Sequence, residues 1–173
     1  MRAWLLFLVL TTSGVASADH FVTATFFQRH ELRTLTSGSV IGPGVGWAWF
    51  PHANFGVGAG ARFGAPLLAL RPNIEGYVRG VMTVPVKFWS PLLGVEFGFT
   101  AAWGALRSIR PSEQLQQELN TDGPVYFAMH TELLRFIFGR FVVSAMGLQV
   151  GTAMPPGAAL RVQFDFLTVG VKL

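Results

Sequence analysis

Ile41-Gly-Pro-Gly-Val-Gly-Trp47 and Phe55-Gly-Val-Gly-Ala-Gly-Ala61 put glycine on every second residue, with mostly apolar side chains in the alternate positions. A repeat of two residues marks a strand with two unlike faces, and no helix keeps such a stripe on one side. Glycine inside an element costs roughly 0.5–1 kcal/mol relative to alanine, so something other than propensity must hold these strands. A sheet closed on itself within a bilayer would hold them.

The start of the chain bears on location. Arg2 precedes an apolar run from Ala3 to Leu10, followed by small residues ending in Ala16-Ser17-Ala18. That is the pattern of a secretory signal peptide over residues 1–18, cut before Asp19, which leaves residues 19–173 as one domain. Its apolar core is too short for a spanning helix, which needs about 20 residues. Arg2 is one of 13 basic residues in the chain, so the mature domain carries an excess of three over its nine acidic ones. The absence of cysteine excludes a disulfide or thiolate metal site and is otherwise neutral. Composition is more telling: charged residues are 13% of the chain and the mean hydropathy is +0.45. Ordinary soluble domains are about 25% charged.

Past residue 18 no stretch reads as a transmembrane helix, since the best apolar window, Phe141 to Leu160, contains Gln149 and Pro155-Pro156. Strands are predicted at 20–30, 40–49, 55–65, 75–88, 94–105, 125–138, 141–151 and 159–173. Each is about ten residues or longer, as a tilted membrane strand requires. The gaps alternate. Those at 31–39, 66–74, 106–124 and 152–158 are long, and those at 50–54, 89–93 and 139–140 are short. This is the pattern of an all-β, eight-stranded antiparallel up-and-down transmembrane barrel with both termini on the short-turn side.

In the segment 94–105, Val95, Phe97, Phe99, Ala101 and Trp103 alternate with Gly94, Glu96, Gly98, Thr100, Ala102 and Gly104. A lipocalin-like soluble barrel would alternate too, with its greasy side inward. The polar stripe decides between them, because Gly, Ala and Thr suit a crowded lumen better than a watery exterior. Aromatics fall in two belts: Trp47, Trp49, Phe55, Phe88, Trp89, Phe138 and Phe141 beside the short turns, and Phe26, Phe63, Trp103 and Phe127 toward the long loops. Membrane barrels place such girdles at the two interfaces.

On these features the chain resembles the small eight-stranded outer-membrane barrels, of which the OmpA transmembrane domain, OmpX and OmpW are types. The terminal strand carries Leu167, Val169, Val171 and Leu173 on one face, and Leu173 stands where that family usually ends in an aromatic. The resemblance implies an integral protein of a Gram-negative outer membrane, exported through the periplasm, in contact with outer-membrane lipid and lipopolysaccharide, and inserted by the barrel-assembly machinery. It implies a structural or surface-interaction role without a catalytic site. The alternatives are a small-solute, porin-like channel of the OmpW kind and a lipid A-modifying enzyme.

Strand parity predicts a lumen network of Arg62, Arg79, Lys87, Glu96, His130 and Glu132, joined by Arg161 and, if the last strand keeps its parity, Asp165. A four-residue turn at Ser90 to Leu93 would set Lys87 opposite Glu96. Eight strands leave room for little more than side chains, which favours a polar filling over a solute path. A five-residue turn at 50–54 would pair Gly46 with Gly58 and Gly44 with Gly60, baring a patch for Arg79 or Tyr77.

An esterase reading would need a serine near His130 and Glu132. A two-residue turn at Gly139-Arg140 puts Ser144 across from Arg135 and, by parity, on the opposite face from His130, which faces Gln149. GxSxG and HExxH are absent from the sequence, no cofactor is expected, and the glycine runs never open a helix as a nucleotide cradle does. Nucleic acid is not an expected partner. The loop from Leu106 to Pro124 contains Ser112 before an acidic, glutamine-rich run that reads as a short capped helix. Arg29, Arg33, Arg71, Arg107, Arg110 and Arg161 fall toward the long-loop ends, where a guanidinium rim would meet lipid A phosphates.

Overall fold

The computed structural model describes residues 19–32, 37–68, 72–102, 125–154 and 160–173. The predicted leader, the helix after Ser112, and Arg33, Arg71, Trp103, Arg107 and Arg110 lie outside these residues. Eight strands are formed: β1 (Asp19–Leu32), β2 (Ser37–His52), β3 (Phe55–Leu68), β4 (Asn73–Thr83), β5 (Leu92–Ala102), β6 (Val125–Phe138), β7 (Phe141–Met154) and β8 (Leu160–Lys172). Each pairs antiparallel with its neighbours in sequence, and β8 returns to β1, closing the barrel. Closure pairs the strand backbones without leaving an edge.

The two faces differ as the period of two dictates. Outward positions carry Val45, Val57, Val78, Phe97, Phe99 and Met129, all largely exposed. Inward positions carry glycine, hydroxyl and charged side chains together with a smaller set of apolar ones such as Phe21, Phe27, Phe50 and Leu92. Asp19, Lys87, Arg140 and Lys172, the charged residues outside the lumen among those described, all sit at the short-turn end. The outer wall between the ends is therefore uncharged among the described residues, a surface matched to hydrocarbon. Aromatic groups gather beside the short turns, where His20 stacks on Trp47 and Trp49, and Phe88, Phe136 and Phe138 form a stack with centroids 6.1–6.3 Å apart.

Two registers depart from the sequence expectation. The β2–β3 connection is a tight turn at Ala53-Asn54 with an irregularity beside it, so Gly46 pairs with Gly60 and Ala48 with Gly58. The β4–β5 connection is longer than four residues. Pro85 and Pro91 lack the donors a ladder needs, and Val86 and Trp89 bond to each other around Lys87, which has φ 57°. Ser90 and Phe88 then bond to Arg135 and Ile137 of β6, continuing the wall below the β5–β6 ladder.

A parity step crosses three neighbouring strands. Inward residues are even in β6 up to Glu132, but Leu133 and Leu134 both face out and Arg135 and Ile137 turn inward. The same shift occurs at Ala145 and Met146 of β7 and at Phe166 and Leu167 of β8. Met146 absorbs it with φ 65°, and the β1–β8 register shifts between Phe26 and Phe27.

Candidate functional site: the barrel lumen

The lumen contains three polar layers above an apolar plug. At the long-loop end, Glu75 of β4 takes charge-assisted hydrogen bonds from both Arg29 and Arg161. Arg29 Nη2 also lies 3.1 Å from Glu31 Oε1, and the Arg161 guanidinium stands 3.7 Å over the Tyr126 ring. In the middle layer Arg62 grips Glu96 with two parallel bonds of 2.6 and 3.0 Å. Glu96 accepts two more, from Tyr126 Oη and Gln149 Nε2, each at 2.7 Å. Four donors on one fully buried carboxylate compensate its lost hydration.

The third layer is more loosely neutralised. His130 Nε2 lies between two groups of this layer, 3.0 Å from Glu132 Oε1 and 3.3 Å from Arg79 Nη1. Arg79 and Arg135 approach the same carboxylate only to 3.9 Å. Asp165 accepts from Gln163 at 2.8 Å and stands 4.0 Å from His130 Nδ1. Below this layer Phe21, Ala48, Phe50, Val81, Leu92 and Val142 form a buried apolar cluster with Ile137 against it. Among the described residues the lumen holds five arginines (29, 62, 79, 135 and 161) and five carboxylates (31, 75, 96, 132 and 165), so its formal charge cancels.

The alternating glycines make this crowding possible. A Cβ on Gly46 would meet Tyr77 Oη at 2.9 Å, one on Gly60 would overlap the same hydroxyl, and one on Gly58 would crowd the Arg79 stem at 3.3 Å. Tyr77 lies on this bare patch and carries the Arg62 guanidinium 4.0 Å above its ring.

Arg62, Arg79, Glu96, His130, Glu132, Arg161 and Asp165 all enter the lumen. Lys87 does not. It is exposed at the tip of the β4–β5 connection, and Arg79 is the β4 residue in register with Glu96, while Arg62 makes the ion pair. Arg29 and Arg161 are also not rim residues. Both are buried and committed to Glu75, so they offer no guanidinium to lipid phosphate. Phe141, placed in the short-turn belt, is exposed outward.

Ser144 requires another correction. It faces Arg135 across the ladder, but the parity step turns it inward, onto the same side as His130. It is still not a nucleophile for that histidine. His130 pairs with Gln149, five positions along β7, about 16 Å away at strand rise. Glu31, Glu75 and Arg135 are lumen residues that the sequence reading missed. Glu75 shares parity with Arg79 and was legible from that, whereas Arg135 was hidden by the step.

No protein-family model matches the chain, and no curated protein sequence matches it. Solved structures do. Neisserial surface protein A aligns with a TM-score of 0.63 and 10% identity over 91% of this chain and 99% of its own. The N-terminal β-barrel domain of Pseudomonas aeruginosa OprF gives 0.56 and 9% over 91% and 100%. Ail, the attachment invasion locus protein of Yersinia pestis, gives 0.51 and 13% over 91% and 100%. At these identities the likeness is one of fold, that of the eight-stranded outer-membrane barrels.

Proposed function

We propose that this chain, built on the fold of the small eight-stranded outer-membrane barrels, is a non-conducting, non-catalytic barrel of the outer membrane. It anchors the segments between β1 and β2, β3 and β4, β5 and β6, and β7 and β8 at the cell surface. The observation that carries the reading is the segregation of charge. The outer wall bears none between its ends among the described residues, while the lumen's formal charges sum to zero above an apolar plug. A solute path needs unpaired polar groups and water along its length, and a lipid-modifying site needs its histidine open to the bilayer. His130 is instead enclosed and held by Glu132.

Protease applied to intact cells tests the surface placement. Cleavage is expected between Arg107 and Gly123, leaving the strands intact, and cleavage at Gly139-Arg140 from outside would invert the barrel and refute the reading. The lipopolysaccharide contact also belongs to this proposal, and it now rests on the arginines not drawn into the lumen. Changing Arg71, Arg107 and Arg110 together to Gln should reduce the thermal stabilisation that lipopolysaccharide gives over neutral lipid. An equal gain in parent and variant would remove that contact from the account.

A further inference from the structure

At the short-turn mouth a cleft of about 320 Å³ opens below the apolar plug, within the range of small-ligand pockets. Phe21, Phe50 and Ile137 supply the large apolar groups of its lining, beside Ala53 and Pro85. The two phenyl rings meet edge to face at 5.7 Å, and the Arg135 guanidinium lies 5.5 and 5.8 Å from their centroids. We propose that this cleft binds a small organic carboxylate, its charged head on Arg135 and its hydrocarbon body on Phe21, Phe50 and Ile137.

The charge state of the neighbourhood carries the argument. Arg29, Arg62 and Arg161 each bond directly to a carboxylate. Arg135 does not. Its nearest carboxylate oxygen, Glu132 Oε2, is 3.9 Å from Nε, and Glu132 is already bonded to His130 and faces Arg79 as well. Arg79 and Arg135 thus share the Glu132 carboxylate, while the layer's other carboxylate, Asp165, is bonded to Gln163. What holds Arg135 is neutral: Nη1 donates to Ser90 Oγ at 3.0 Å and to Ser90 O at 3.3 Å. The Thr83 hydroxyl donates to Pro91 O at 2.7 Å, so in its 2.8 Å contact with Ser90 the Ser90 hydroxyl is the donor. The chain of hydroxyls is fully used in aiming Arg135 and leaves the guanidinium as the cleft's anion-binding group. Asp19, at the lip, is already paired with Lys172 Nζ at 2.7 Å.

A guanidinium set over two phenyl rings keeps its charge for an anion, and the apolar lining separates a carboxylate with a hydrocarbon body from inorganic phosphate. The cleft opens on the short-turn side of the plug and so does not depend on whether the lumen above conducts.

The test is a methyl and ring NMR titration of the protein as the cell matures it, in lipid nanodiscs. The probes are hexanoate, hexanol and inorganic phosphate. Hexanoate should give saturable shifts at Ala53, Thr83, Ile137 and His52 and none at Thr100 near the other mouth. Hexanol and phosphate should each bind at least about tenfold more weakly, the loss expected when either the charge-assisted bond or the apolar contact is missing. Arg135→Gln should abolish saturation. Because that change also disturbs the plug, Ala53→Trp provides a second variant that obstructs the mouth and keeps the guanidinium, and it should weaken hexanoate equally. Hexanol matching hexanoate, phosphate matching hexanoate, or shifts that survive Ala53→Trp unchanged would each overturn the proposal.

Discussion

Glu96 shows how much a single lumen residue holds. It is fully buried and accepts from Arg62, Tyr126 and Gln149, so removing its charge strands a buried guanidinium. Breaking one side of such a pair costs about 3–5 kcal/mol. Glu96→Gln should therefore lower the unfolding free energy of the barrel by that order in a denaturant titration, while Lys87→Gln, at an exposed turn tip, should leave it unchanged. A double-mutant cycle should give a coupling energy for Arg62 with Glu96 and none for Lys87 with Glu96. A coupled Lys87 would show that the β4–β5 pairing of Arg79 with Glu96 is wrong. The sequence made Glu96 legible as a lumen group because its neighbours at 94, 98 and 100 are small or hydroxylic, but its partner was not legible. Choosing among Arg62, Arg79 and Lys87 requires the length of an irregular turn containing two prolines, and period-two patterning is silent on that.

At the scale of elements, strand existence was legible because an apolar stripe that recurs every second residue over about ten residues gives a continuous face only to an extended chain. The two-residue turn at Gly139-Arg140 fixed the β6–β7 pairs of His130 with Gln149 and Arg135 with Ser144. The β2–β3 register was misplaced by two residues. An even error leaves every side chain on its correct face, so the bare glycine patch and Tyr77 still met. An odd change is different. The step at Leu133-Leu134, Ala145-Met146 and Phe166-Leu167 flips facing within a strand, and nothing local announces it, since all six residues are apolar or small. Its cost is carried by Met146 at positive φ, a conformation that side chains with a Cβ rarely adopt. A cysteine scan of β7 read by lipid-borne quenchers checks the step. Positions 144, 147 and 149 should be shielded and positions 145, 146 and 148 quenched. Strict alternation through residues 144–149 would contradict it.

For the whole molecule, a wall uncharged among the described residues and a lumen of equal and opposite formal charge describe a barrel whose ionised groups mostly answer one another. Such an arrangement suits lipid, because no charge among the described residues between the ends of the wall faces outward and few buried charges lack a counterpart. The decisive measurement is single-channel recording of the purified protein in planar bilayers. A barrel filled in this way should show no steady open level in the parent, with conductance emerging only when the middle layer and the plug are weakened together, by Glu96→Gln combined with Phe50→Ala. A steady open channel in the unmodified protein, unaltered by those two changes, would contradict it.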